Sequence, residues 1–107
     1  MTVDEWMGSR MPPPPPALVA RLREVIGAAR DEPAARVPDV CLEAGERLVS
    51  DLLRSRSTTR GSALDLLTAD ALVTYAFEAA GESASGIDVR AGAAMARISA
   101  LGAAATE

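Results

Sequence analysis

Apolar residues return at helical spacing along almost the whole chain, and nowhere do they alternate as they would in a strand. Leu18, Leu22, Val25, Ile26 and Ala29 mark a first helix over about 17–30, opened by Pro16 and stopped before Pro33. A second helix, over about 38–54, carries one apolar row at Cys41, Leu48 and Leu52 and an adjacent one at Leu42, Val49 and Leu53. Glu43, Arg47 and Asp51 form a ladder of opposite charges on its other side. Pro38 suits its first position and Asp39 its positive end. The third helix is predicted over about 62–80. Ser62 and Asp65 match a capping box, and Gly81 is a natural stop. On its wheel Asp70, Thr74 and Glu78 share one narrow polar face. Leu66, Ala69, Leu72, Val73, Ala76 and Phe77 fill the broad opposite side, flanked by Leu64 and Tyr75. That is more apolar surface than one neighbouring helix covers.

A loop at 82–86 then leads to a fourth helix over about 88–103. Ile87, Ala91, Ala94, Ile98 and Leu101 repeat there in heptad fashion. Gly92, Ala96 and Ala100 make a row of small residues that lets two backbones come close, within the molecule or between chains. Four helices with connections of roughly five to eight residues predict an all-α fold, a small up-and-down antiparallel four-helix bundle. That single domain occupies 17–107. Residues 1–16 precede it as an extended proline-rich arm, because Pro12 to Pro16 lack N–H donors and favour polyproline II.

Composition narrows the functional classes. The chain of 107 residues has no His, Lys, Asn or Gln, and all 11 cations are Arg, a bias typical of a GC-rich bacterial genome. Without His, the Ser-His-Asp and Cys-His nucleophilic systems and the Glu-x-x-His metal helices are excluded. There is no phosphate-binding GxxxxGK[ST], no GxGxxG and no CxxC. The sequence therefore predicts no catalytic residue, no cofactor and no metal. A net charge of −4 disfavours nucleic acid as a partner. The lone Cys41, on an apolar row, reads as a buried inert thiol and fits a reducing compartment. With no signal-peptide pattern and no membrane-length apolar run, the expected location is the cytoplasm, with no membrane contact.

LLTADALVTYAFEAAG resembles a helix of the trans-isoprenyl diphosphate synthases. The resemblance covers about sixteen residues, mostly Ala and Leu. Both aspartate-rich DDxxD motifs that hold magnesium in that family are missing, so no synthase activity is implied.

Two local features remain. Arg54, Arg56 and Arg60 stand among Ser55, Ser57, Thr58, Thr59 and Ser62 at the start of the third helix, where free N–H groups attract anions. Arg54, Arg56, Arg60 and Ser62 are thus candidate anion ligands. Trp6 with Pro12, Pro13 and Pro14 could dock on another protein. Tyr75, Phe77, Gly92 and Ala96 could line a helix–helix contact. The reading that follows is a non-enzymatic helical protein–protein interaction or scaffold module that self-associates, with a homodimer or another protein as partner. A small-ligand or anion-binding bundle is the alternative.

Overall fold

The structure, a computed structural model, describes residues 1–56 and 58–105, with side chains described as far as residue 103. It is helical, and among the described residues the only β-type pairing is an isolated bridge between Thr2 and Pro33. The elements are α1 (Val3–Gly8), α2 (Pro16–Ile26), two 3₁₀ turns (Gly27–Asp31 and Ala34–Arg36), α3 (Val37–Ser55) and α4 (Arg60–Ala105).

The amino-terminal segment is not an extended arm. Thr2 and Glu5 form a reciprocal capping box: the Glu5 N–H donates to Thr2 Oγ1 at 3.2 Å and the Thr2 N–H to Glu5 Oε1 at 3.1 Å. Two backbone bonds pin the segment to the turn before α3, Val3 N–H to the Glu32 carbonyl (2.8 Å) and Ala34 N–H to the Met1 carbonyl (2.9 Å). Val3, Trp6 and Met7, at i, i+3 and i+4, all enter the core. Only residues 9–15 between α1 and α2, Pro12 to Pro15 among them, are non-helical, and Pro16 opens α2. The α2 helix ends at Ile26, earlier than its apolar spacing suggests. Gly27 there takes a φ of 58°, a left-handed value that glycine reaches without a Cβ clash. The chain continues as a 3₁₀ turn to Asp31.

The core joins Trp6 and Met7 from α1, Leu22 and Ile26 from α2, Val37, Val40, Cys41 and Ala44 from α3, and Leu72, Tyr75, Ala76 and Ala79 from α4. Trp6 meets Tyr75 edge-on, with ring centroids 5.7 Å apart at 81°. α3 and α4 form a hairpin that comes close at Gly45. A Cβ built there would lie 3.5 Å from Leu72 Cβ and Val73 Cγ2. α3 closes on Arg56 in the left-handed region, whose N–H returns to the Leu52 carbonyl.

The separate third and fourth helices, and with them the up-and-down bundle, are replaced by one continuous helix of 46 residues. Gly81 does not stop it. A helical glycine costs only about 1 kcal/mol relative to Ala. No proline follows residue 38, and the alanines around positions 81–86 favour propagation. Glu82, expected in a loop, is held on the helix by Trp6 and Arg10. The expected Ser62–Asp65 capping box is also absent. Thr59 caps α4 by accepting from the Ser62 N–H (3.2 Å). Asp65 instead binds Arg21 of α2, with Nε to Oδ1 at 2.7 Å and Nη2 to Oδ2 at 3.4 Å. At about 1.5 Å per residue, α4 is roughly 69 Å long. It sets the long axis of a molecule measuring 73 × 24 × 23 Å.

Two stability changes follow. Trp6→Ala should destabilise the fold by about 3–5 kcal/mol, as expected for a large aromatic removed from a core; circular dichroism during chemical denaturation measures it. Gly45→Ala should raise stability by up to about 1 kcal/mol, because the helix gains propensity and the new methyl meets only ordinary van der Waals contact. A lower midpoint for Gly45→Ala would show that the α3–α4 approach leaves no room.

Candidate interaction surface

α4 leaves the body of the molecule at Glu82. The Trp6 indole Nε1–H donates to Glu82 Oε2 at 3.0 Å, and Arg10 Nη1 donates to Oε1 at 2.7 Å. The Arg10 guanidinium lies over the Trp6 ring, its Cζ 3.9 Å from the centroid, and approaches Glu78 at 3.6 Å. Beyond this clamp, residues 83–103 of α4 are exposed apart from the half-buried Gly86 and Ala94.

The buried face of α4 is narrow: Ala69, Leu72, Tyr75, Ala76 and Ala79 turn into the core. Beside it runs a second apolar line that the fold leaves open. Leu66, Val73, Phe77, Ala80, Ala84, Ile87, Ala91, Ala94, Ile98 and Leu101 succeed one another at spacings of three, four and seven, broken only by Asp70. Phe77 is 73 % exposed, Ile98 66 % and Leu101 71 %. On the body this line borders a shallow groove walled by Gly45, Glu46, Val49 and Leu53 of α3 and Val73 of α4. Leu42, Val49 and Leu53, the outer apolar row of α3, are exposed along it. Scattered exposed apolar residues are ordinary, but a continuous line of this length is not.

The residues singled out from the sequence divide between core and surface. Trp6 and Tyr75 are buried against each other. Pro13 and Pro14 line a cleft of about 310 Å³ together with Met7, Leu22 and Tyr75; Pro14 is half-buried, whereas Pro12 and Pro13 are exposed. Phe77 lies on the open line of α4, and Gly92 and Ala96 are exposed farther along the same helix. In the arginine-rich connection, Arg54 turns to Asp51, Arg56 and Arg60 are exposed, and Ser57 lies outside the described residues. Ser62 is buried. Its N–H is already taken by Thr59 Oγ1, and its hydroxyl lies 3.3 Å from the same oxygen. The residues that sequence reasoning missed are Arg10, Arg21 and Glu82, whose partners are distant in sequence. Thr2 with Glu5 was legible as a T-x-x-E capping box.

Cys41 is fully buried, and burial pushes its thiol up to about 11, so it is protonated at neutral pH. Among the described residues, no group of three or more Cys, Asp or Glu side chains is placed to hold a metal ion, and no helix is long and apolar enough to cross a membrane. Compared against protein families, curated proteins and solved structures, the chain matches none.

The clamp carries a pH signature. Hydrogen bonds from Arg10 first and Trp6 second hold the Glu82 carboxyl below the ordinary glutamate range. Because the folded value is depressed, this contribution to stability is complete above the unfolded value of about 4.3 and is lost as pH falls through the lowered folded value. Acid titration followed by the emission of the only tryptophan should show a red shift in that acidic window. Glu82→Gln should remove this component, and an unchanged titration would separate the shift from Glu82.

Proposed function

We propose that the protein is a non-enzymatic helical interaction module whose working surface is the open apolar line of α4. The observation that carries this reading is the line's position: it runs unbroken from Val73 on the body to Leu101 on a helix that projects beyond the body. Exposed Phe, Ile and Leu in heptad order lose contact with water only when another helix packs on them. The surface offers helix-on-helix docking, with the projecting half as the part that reaches a partner. A lone buried thiol suits work in the reducing cytoplasm.

Ile98→Asp in the full chain tests the reading. Ile98 lies beyond the body, so circular dichroism and Trp6 emission should stay native. Wild-type protein at tens of micromolar should sediment as an associated species, or retain a binding partner on affinity capture from its host. Ile98→Asp should lose that association. If wild type and variant sediment alike as monomers and capture the same proteins, the α4 line is not an interaction surface.

A further inference from the structure

The exposed line on α4 and the groove beside it are complementary halves carried by the same chain. From Leu66 to Leu101 the line has its midpoint next to Ala84. Reversing the helix about that point brings Ile87 level with Ala80 and Val73 with Ala94, sets Phe77 within one residue of Ala91, and closes each end with Leu66 against Leu101. At the centre Ala80 and Ala84 leave room for two backbones to approach.

Charge follows the same symmetry. Glu46 of α3 lines the groove on the body; the exposed Asp39, which pairs with Arg36 at 3.0 Å, lies farther along the same row, and the exposed Asp70 lies on α4. The projecting half carries Arg90 and Arg97 on one flank of its apolar line. Contact at Gly45 places α3 level with Leu72 and Val73. In the reversed arrangement a guest α4 runs parallel to α3. Asp39 and Glu46 are seven residues apart, as are Arg90 and Arg97. Arg97 of the second copy then comes level with Glu46, and Arg90 with Asp39.

The area is adequate as well. The line is roughly 50 Å long and about 10 Å wide, so α4 alone offers on the order of 500 Å² per copy. Two copies reach about 1,000 Å², the lower bound for a specific interface, before Val49 and Leu53 of α3 are added.

Resting on the interaction reading above, we propose that the occupant of this surface is a second copy of the chain. The two α4 helices cross antiparallel about a two-fold axis near Ala84, and each projecting half lies in the α3–α4 groove of the other copy. Such an interface is isologous: every contact occurs twice, and the projecting half of one copy is a ligand only for the body of the other.

A charge exchange in the full chain tests both occupant and register. Glu46→Arg alone and Arg97→Glu alone should each weaken dimerisation about tenfold or more in sedimentation equilibrium, by setting like charges together. The double variant E46R/R97E should return to within about threefold of wild type, because the pair is re-formed with its signs exchanged. Additive losses in the double variant would overturn the register. Spin labels on Ser99→Cys test direction independently, since the buried Cys41 thiol takes no label. The antiparallel dimer places the two labels about 45 Å apart along the axis. A separation under about 20 Å, expected for parallel helices packed 8–10 Å apart, would overturn it. A wild-type chain that stays monomeric throughout overturns the second copy as occupant, whereas the interaction reading falls only if Ile98→Asp also leaves partner capture unchanged.

Discussion

Burial of Trp6 is the constraint on which the rest of the molecule depends. A short core assembled from Ala, Val and Leu has little volume to spare, and this one side chain joins three parts of it. Its ring packs edge-on against Tyr75 of α4, its face carries Arg10, and its N–H binds Glu82. The first fifteen residues are therefore a wall of the body, although α1 has only six residues and no helix of that length is stable alone. What stabilises α1 is apolar burial along Val3, Trp6 and Met7, with the capping box and the backbone bonds to Glu32 and Ala34 fixing its position.

The same contact defines where the body stops. Upstream of Glu82, α4 is covered by α1 and α2 on one side and α3 on another, with Arg21 and Asp65 fastening the far end. Downstream it has no comparable neighbour among the described residues. The apolar line that α1, α2 and α3 leave uncovered thus continues without interruption onto the projecting half. Placement of the N-terminal segment and exposure of the interaction surface are two results of one packing solution. The small elements take the sides facing Tyr75 and Asp65, α3 closes on Leu72 and one edge of Val73, and the side carrying Phe77 stays open.

Much of this was legible in the sequence, and the failures have definite causes. Helical periodicity identified α3 closely and α2 as far as Ile26, where Gly27 breaks it, and the excess apolar surface around Leu66, Val73 and Phe77 is visible on a wheel. The heptad spacing of Ile87 to Leu101 was equally plain. Continuity through Gly81 was not, because glycine reads as a stop at a helix end and as a minor cost within one; only context decides. The fold-back of the amino terminus was hidden because five prolines suggest an extended tail, while the T-x-x-E signal before Trp6 is short. Asp65 reads as a cap in sequence because its local spacing fits one. Its actual partner, Arg21, is 44 residues away, and no local pattern encodes that pairing. The candidate interaction surface was legible as a set of residues. Its extent was not, since exposure depends on which faces other elements cover.

The continuity of α4 also alters the kinetics of its projecting half. An isolated helix of about twenty residues must first form an unfavourable nucleus, with an equilibrium weight of order 10⁻³. Here the helical turns around Ala76 and Ala79 are already fixed in the core, so the segment after Glu82 grows by adding one residue at a time to an existing end. Fraying from the free end is expected to lower its order with distance from the body. The apolar residues nearest Ala84 are presented in helical form for more of the time than Ile98 and Leu101, and an encounter with another helix can begin at the better-ordered end and close outward like a zipper.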